Sequence, residues 1–428
     1  MHLAKWMKVC LLACLIASLG FDRISLRINE MTFRSSYIFY LFVFLWLWHK
    51  RQIRLSKVPT MLIGGFVLLS IPSLFVSANP IKSIVYIFWI ITNFVLIFLV
   101  FSTFARMYKK ILYNSLIVSF RLQIVIAAIM ALLGLNPAAL DRGGWYYADR
   151  AHLFYYEPSF FAIALTTYCA IVSVRIMKLG VRSSWLDLGM LTIALFTTKS
   201  ALLMIIIVII FGFSFIFLRL TFKSILFSLT LALLTFAGAY FYAMNGTDLV
   251  AQTLHGILTS DDPVQYLVAR AENRVPRMQC AWDVFLAHPL SGVGLGAYEA
   301  YTYTADLRYC LERGKFLYNQ HDFITGVPPI NIYIELLATT GIFASLTFFA
   351  FLLRLVFAKR IKRLDPIQLS YLIGLITMLI IMNFQATYLT LCIWMALGIY
   401  HGSVQRTKSL YRYRIEESIS TSTYSIAS

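Results

Sequence analysis

Apolar runs long enough to cross a bilayer recur along almost the whole chain, and they constrain the fold more than any other feature. Examples are Ile84–Val100, Ala201–Leu218 and Ile342–Val356. A helix rises 1.5 Å per residue, so ~20 apolar residues cover the ~30 Å hydrocarbon core. None of the runs alternates polar and apolar residues as a barrel strand does. Only 13% of the residues are charged, against roughly 25% in soluble domains. The sequence therefore predicts an all-α polytopic membrane protein.

Basic residues gather at every second loop between these runs. The clusters are Lys5 and Lys8, Lys50–Lys57, Arg106–Lys110, Arg175–Arg182, Arg219–Lys223, Lys359–Arg363 and Arg406–Arg414. This is the positive-inside pattern, which accounts for the formal net charge of +18 without a nucleic-acid partner. It predicts that both termini are cytoplasmic. The first run, Val9–Phe21, has a basic start but no convincing cleavage site, so we interpret it as a retained helix.

The apolar runs and basic loops together predict about twelve transmembrane helices in one domain, residues 1–408. The spans are expected near 8–21, 35–49, 58–77, 83–105, 111–134, 158–175, 184–198, 200–218, 224–242, 331–357, 367–383 and 387–401. Two external segments follow from them: a polar loop, 136–157, and a large, mostly helical loop, 243–330, inserted between the ninth and tenth spans. Loops of this length are uncommon without a function. The polar tail, 409–428, is predicted to be cytoplasmic and disordered.

Cationic residues on the external side are unexpected, because positive charge is concentrated inside. They are Arg142, Arg150, Lys199, Arg270, Arg274, Arg277, Arg308, Arg313 and Lys315. Each arginine taken singly is more readily explained by a surface salt bridge with a nearby acid. As a set beside the membrane they favour an anion site, since a guanidinium grips phosphate oxygens in a bidentate manner.

Three other ionisable residues allow two interpretations each. Glu157 precedes Pro158 at a helix start, where the helix dipole favours a carboxylate, but it could also bind or deprotonate a sugar hydroxyl. His321 is either a base or an ordinary loop histidine. Arg121 falls inside a predicted span and is either functional or extends toward the cytoplasmic face.

The remaining motifs exclude several site types. Gly292–Gly296 resembles a phosphate-binding loop, but no strand precedes it, so we reject a nucleotide site and predict a tight turn before a helix. No histidine or cysteine spacing suggests a metal site. Cys280 and Cys310 share the large loop and are either bridged or two free thiols.

The segment His288–Gly296, preceded by Arg274 and followed by Asn331–Ala338 and Gly341, resembles the signature of the O-antigen polymerase and ligase superfamily. Glu157–Ser159 and the Lys199–Ser200 turn are similar to its polymerase branch. The specific motifs cover about a quarter of the chain.

The resemblance implies a membrane-embedded glycosyltransferase of the C-type in a bacterial inner membrane, with a periplasmic active site and no cofactor or metal. Its substrates would be undecaprenyl-pyrophosphate-linked glycans, joined by inverting transfer into O-antigen or a related surface polysaccharide. Partners would be membrane lipid and, in an assembly, a chain-length regulator and a flippase. We expect Glu157, Arg274 and Arg277 to be catalytic, and we expect the substrate or its pyrophosphate to be bound by Arg142, Arg150, Lys199, Asn331, His321 and Tyr333.

One departure from the family pattern matters. The ligase branch usually has a histidine directly before the asparagine of the helix start, where this chain has Ile330 before Asn331. The absence of this histidine favours a polymerase over a ligase, which would move glycan to lipid A core or protein. It also leaves two candidates, Glu157 and His321, for the catalytic base. A polysaccharide or lipid transporter and a non-catalytic scaffold are the alternatives from other classes.

Overall fold

The computed structural model describes residues 2–20, 25–28, 31–135, 150–155, 158–218, 237, 240–241, 243–246, 249–263, 265–266, 274–304, 329–384 and 389–405. Helices dominate these residues: α1 (His2–Ala17), α2 (Ser36–His49), α3 (Lys57–Phe75), α4 (Pro80–Thr92), α5 (Leu99–Met107), α6 (Lys109–Leu132), α7 (Pro158–Leu179), α8 (Trp185–Thr198), α9 (Ala201–Phe217), α10 (Leu249–Thr259), α11 (Arg274–Ala287), α12 (Tyr298–Thr304), α13 (Ile332–Val356), α14 (Pro366–Ile381) and α15 (Leu391–Val404). A short antiparallel hairpin, β1 (Ser25–Ile28) and β2 (Met31–Arg34), lies between α1 and α2. The helical bundle was predicted and the hairpin was not.

Within the described residues, six helices are long and apolar enough to cross a membrane. They are Lys57–Phe75, Pro80–Met107, Lys109–Leu132, Pro158–Leu179, Ile332–Val356 and Pro366–Phe384. Shorter apolar helices occupy Trp6–Gly20, Ser36–His49, Trp185–Thr198, Ala201–Phe217 and Leu391–Val404. These helices coincide with predicted spans, whereas the span predicted at 224–242 falls mostly outside the described residues. The chain is thus a multi-pass helical membrane protein, and the count of twelve spans stays a prediction.

The basic turns meet at one end of the bundle, which we call the basic end. Arg106 donates a hydrogen bond to the backbone carbonyl of Gln52, and the Lys109 ammonium pairs with Asp365. Burial alone would raise the pKa of the Asp365 carboxyl, but Lys109 and the backbone N–H of Gln368 outweigh it and hold that pKa below its usual value. These contacts link the turns before α3, α6 and α14, as the charge pattern requires.

The end of the bundle where α4 and α13 begin lies away from the basic end, and we call it the opposite end. Midway along the span Pro80–Met107, polar contacts around Asn93 join several helices. This residue lies in a π-helical turn, Asn93–Phe98, that connects α4 to α5, an irregularity frequent at functional sites. The Tyr37 hydroxyl donates to Asn93 Oδ1 at 2.6 Å, and Asn93 Nδ2 donates to the Leu389 carbonyl at 3.4 Å. Arg34 donates to the same carbonyl at 3.0 Å. The hairpin is thereby attached to the start of α15.

Arg121 is ion-paired within the bundle, to an acid in the first turn of α8. Its guanidinium contacts Asp187 at 2.7 Å, and Arg175 contacts the other carboxylate oxygen at 2.9 Å. The Tyr168 hydroxyl donates to the same group at 2.8 Å. Asp187 is fully buried. A charged group within a membrane-spanning helix requires a partner. The partner of Arg121 is Asp187, an acid that belongs to the predicted span 184–198.

Helix packing is close where small residues permit it. A Cβ added at Gly402 would lie 2.0 Å from the Ser102 carbonyl oxygen, and one at Gly398 would lie 2.5 Å from that of Phe98. Small residues allow helix backbones to approach in this way inside membranes. Consequently α15 lies directly on α5, while α13 packs on α3 and α14 packs on α7.

Candidate active site

The segment His288–Gly296, which we call the clasp, lies against a break in α13. At Gly341 the backbone has φ 74° and ψ 178°, which interrupts the helix. The clasp fills the break: Val293 N–H donates to the Ala338 carbonyl at 3.0 Å and Gly294 N–H to that of Thr339 at 3.0 Å. In return, Ile342 N–H donates to the Pro289 carbonyl at 2.8 Å. The motif residues thus join two segments that are about fifty positions apart in the chain.

The glycines of the clasp serve close backbone packing. Gly292 has φ +64°, and a Cβ there would lie 2.3 Å from the Thr339 carbonyl carbon, so a side chain is excluded by both conformation and space. The backbone N–H groups of Val293 and Gly294 are used by α13, so they are not available to cradle a phosphate. The predicted tight turn before a helix is confirmed, because α12 begins at Tyr298.

Asn331 and Tyr333 fix the start of α13. The Asn331 side chain accepts from the backbone N–H groups of Tyr333 and Ile334 at 3.0 and 3.1 Å, the standard N-cap arrangement. Its Nδ2 donates to Asn383 at 3.3 Å. The Tyr333 hydroxyl donates to the Leu379 carbonyl at 2.6 Å. Both residues predicted to bind substrate therefore have structural contacts that tie α13 to the end of α14.

One helical turn beyond the cap, Glu335 is a buried carboxyl group. It is 4% exposed, and among the described residues its Oε2 has no hydrogen-bond partner. The charges that act on it are those of Glu299 and Lys82, which form an ion pair at 2.7 Å. A buried carboxyl group without a hydrogen bond to one oxygen is costly, so such a group inside a membrane protein is expected to have a function.

The candidate arginines Arg274 and Arg277 lie in the first turn of α11, which packs on α13. They are three residues apart and so belong to one helix face. Arg277 is partly buried, whereas the side chain of Arg274 lies outside the described residues. Two cations at a helix N-terminus are repelled by the positive end of the helix dipole. An anion bound there would offset this repulsion.

A second group of candidates, Arg150 and Lys199, lies at the C-terminal end of α8. The backbone N–H of Ala151 donates to the Thr197 carbonyl at 2.8 Å, which brings Arg150 to the end of α8. Lys199 occupies the turn between α8 and α9, as predicted, in the left-handed conformation with φ 46°. That conformation is uncommon for a residue with a side chain. Both side chains are partly buried.

Three predicted site residues, Glu157, Arg142 and His321, lie outside the described residues. The helix start predicted beside Glu157 is confirmed, since α7 begins at Pro158. Cys280 is disulfide-bonded, which agrees with a bridged pair, although Cys310 is also outside the described part of the chain. Within that part, no group of three or more His, Cys, Asp or Glu side chains could hold a metal ion.

An apolar cavity of about 830 Å³ opens between α1, α2 and α6. Its lining includes Leu12, Phe42 and Trp46 and, at the opposite end, Gln123, Leu153 and Phe154. The last two belong to the same short segment as Arg150. The adjacent Tyr155 donates to Gln123 at 3.1 Å, which fixes that segment against α6.

Sequence reasoning missed Glu335, Lys82 and Glu299 as candidates. A signal was present for two of them. Lys82 is a cation at the opposite end, where the charge rule makes cations unusual, and Glu335 is an acid within an apolar span. Glu299 carries no such signal, because only the fold brings α12 to the start of α4.

Comparison with known protein families finds a similarity over part of the chain. A family model described as O-Antigen ligase matches residues 188–349. The match begins in α8 and ends in α13, so it includes the clasp, α11 and Glu335, and it confirms the resemblance to the O-antigen polymerase and ligase superfamily. It supports an enzymatic role in the processing of O-antigen or surface polysaccharide. The comparison with curated proteins finds no match.

Proposed function

We propose that this chain, a member of the O-antigen polymerase and ligase superfamily, joins lipid-linked oligosaccharide repeat units into a surface polysaccharide on the periplasmic face of a bacterial inner membrane. The observation that carries the proposal is the buried carboxyl of Glu335, which lies about one helical turn before the clasp contacts of α13 and interacts electrostatically with the Lys82–Glu299 pair, at the end opposite the basic turns. The positive-inside rule assigns that end to the periplasm.

The reaction is a displacement at the anomeric carbon of the donor sugar. The acceptor hydroxyl forms the new glycosidic bond and loses its proton to a base, while the bond to the diphosphate oxygen breaks and its electron pair leaves with undecaprenyl pyrophosphate. Negative charge therefore grows on the diphosphate. Fixed guanidinium groups aimed at that charge stabilise the transition state, and Arg277 and Arg274 at the start of α11 are suited to this role.

Two carboxylates are candidates for the base. Glu335 is buried within electrostatic range of Lys82, and a buried carboxyl near a cation is a group whose proton affinity an enzyme can tune. Glu157 directly precedes α7 and remains the candidate from the sequence. The pair Arg150 and Lys199 would then bind the second anionic substrate, because each repeat unit enters on its own lipid diphosphate.

The cavity between α1, α2 and α6 is proposed as the path for one polyprenyl tail. Its walls are apolar, and its opposite end is formed by the segment that carries Arg150. A lipid tail lying there would place its diphosphate at that arginine.

Genetic complementation tests the proposal. A deletion strain receives wild type, Glu335→Gln or Arg277→Gln, with Asp261→Asn and Arg182→Gln as controls that remove an exposed acid and an exposed arginine. Membrane levels are matched by immunoblot, and surface polysaccharide is resolved on a gel. We expect only wild type and the two controls to restore the ladder. Full restoration by Glu335→Gln and Arg277→Gln would contradict the site. Arg274→Ala and Glu157→Gln, at the other two residues predicted to be catalytic, are tested in the same complementation experiment.

The deletion phenotype separates this function from its rivals. Single repeat units on the acceptor indicate a missing polymerase. A ligase, which the family description also allows, predicts no glycan on the acceptor and accumulation of lipid-linked polymer. A transporter predicts lipid-linked repeat units retained on the cytoplasmic side, and a scaffold predicts that the substitutions are harmless.

A further inference from the structure

A second cavity, of about 1130 Å³, runs along the outside of α13 and α14. Its walls are apolar over most of their length, with Leu352, Leu353 and Val356 on α13 and Leu372 and Ile376 on α14. Phe217 at the end of α9 contributes to the same cavity. The groove is therefore wide and long enough to hold extended hydrocarbon chains, and it lies within the membrane-spanning part of the bundle.

The polar residues Tyr333 and Asn383 line this cavity near the start of α13, whereas its cationic residues lie at the basic end. Four cationic side chains, Lys359, Arg360, Lys362 and Arg363, line it there. Lys359 donates to Gln368 at 2.9 Å, while Arg360, Lys362 and Arg363 are exposed. Part of the turn, Ile361–Arg363, forms a 3-10 helix. A cation cluster fixed at the mouth of an apolar groove is complementary to a molecule with an anionic head and hydrocarbon tails.

We propose that this groove is a specific site for an anionic glycerophospholipid of the leaflet at the basic end. The phosphate lies between Arg360 and Arg363, which can each offer two donors to its oxygens. The acyl chains lie along Leu353, Val356 and Ile376. Basic pockets between transmembrane helices on the cytoplasmic side bind anionic lipid head groups in this manner. The proposed lipid site occupies the part of the cavity at the basic end, whereas Tyr333 and Asn383 line the part beside the start of α13. The lipid site does not depend on the proposed function.

Other basic turns share the charge but not the groove, which makes the proposal testable. Arg51 and Arg54 are exposed arginines of the turn before α3, and neither lines the cavity. Within α13, Leu353 and Leu346 are both exposed leucines, but only Leu353 lines the cavity. Each pair provides a variant and its matched control.

The experiment is a lipid titration of the purified full-length protein, followed by native mass spectrometry. Phosphatidylglycerol is compared with phosphatidylcholine carrying the same acyl chains. We expect Arg360→Gln/Arg363→Gln to weaken phosphatidylglycerol binding by about 30-fold. This factor assumes that each arginine contributes as much to the binding free energy as a basic residue does at an anionic membrane surface. Arg51→Gln/Arg54→Gln should leave binding unchanged. Leu353→Trp should weaken the binding of both lipids, and Leu346→Trp should not.

Three results would overturn the site. Equal losses in the two arginine pairs would mean that any basic turn attracts the lipid. Unaltered binding in Leu353→Trp would place the acyl chains elsewhere. Displacement of phosphatidylglycerol by a tenfold lower concentration of undecaprenyl pyrophosphate would assign the groove to substrate. Because removing positive charge can invert membrane topology, cysteine-accessibility labelling of each variant confirms its orientation before the titration. None of these outcomes depends on glycan transfer.

Discussion

Replacing Gly341 by alanine should disrupt the clasp, because the site depends on the break in α13. The glycine has φ 74° and ψ 178°, a region that residues with side chains essentially avoid and that costs them about 1–3 kcal/mol. A Cβ at this position would also lie 2.2 Å from the Leu290 carbonyl oxygen. Because that atom belongs to the backbone of the clasp, the clasp has to move rather than a flexible side chain.

The expected loss of stability follows from the hydrogen bonds that such a movement breaks. Three backbone hydrogen bonds hold the clasp to α13, and each contributes about 1 kcal/mol. Together with the torsional cost, the loss in the free energy of unfolding is about 4–6 kcal/mol. If the 428 residues unfold cooperatively, that corresponds to a fall in the unfolding midpoint of about 4–7 °C.

The assay is thermal unfolding of the purified protein in one detergent, with Gly212→Ala as the control. Gly212 lies within α9, and a Cβ there meets nothing within 4 Å, so this substitution should be neutral or slightly stabilising. Polysaccharide synthesis should also fall in Gly341→Ala, since Glu335 precedes the break by only six residues of α13. If Gly341→Ala unfolds at the same temperature as Gly212→Ala, the explanation of the clasp glycines is wrong.

Three further predictions concern the charged contacts. Asp187→Asn leaves two arginines without a buried carboxylate and should cost about 3–5 kcal/mol in thermal unfolding, whereas the exposed Asp261→Asn should not. A double-mutant cycle with Lys82→Met and Glu299→Gln should give a coupling of about 1 kcal/mol in the free energy of unfolding. A coupling near zero would mean that this ion pair does not hold α12 against α4. Asp365, whose pKa is depressed, stabilises the fold fully above about pH 4 and less as the pH falls through its lower folded value. The difference in unfolding midpoint between wild type and Asp365→Asn should therefore narrow on acidification, and a constant difference would contradict the assignment.

Features of the fold that depend on local sequence were predictable. Length and hydropathy identify the helices, and the proline at 158 and the Lys199–Ser200 turn mark helix boundaries that the structure confirms. The short hairpin was not predicted, because its strands are only four residues long and give no recognisable alternation.

Features that depend on contacts between distant segments were not predictable. The sequence contains both the clasp and Gly341, but only their packing explains why each needs glycine. Asp187 is a single acid in an apolar run, and its role depends on arginines from two other helices. Glu335 was visible within a motif, yet its burial beside Lys82 and Glu299 requires three elements to meet.

Glycan transfer by the purified protein tests the central claim most directly. The protein is reconstituted in liposomes and given an undecaprenyl-pyrophosphate-linked repeat unit, and the products are separated by size and analysed by mass spectrometry. The account predicts oligomers of the repeat unit, with one undecaprenyl pyrophosphate released for each linkage formed and with Glu335→Gln inactive. Transfer only after addition of lipid A core would identify a ligase instead, and no transfer to either acceptor would contradict the account.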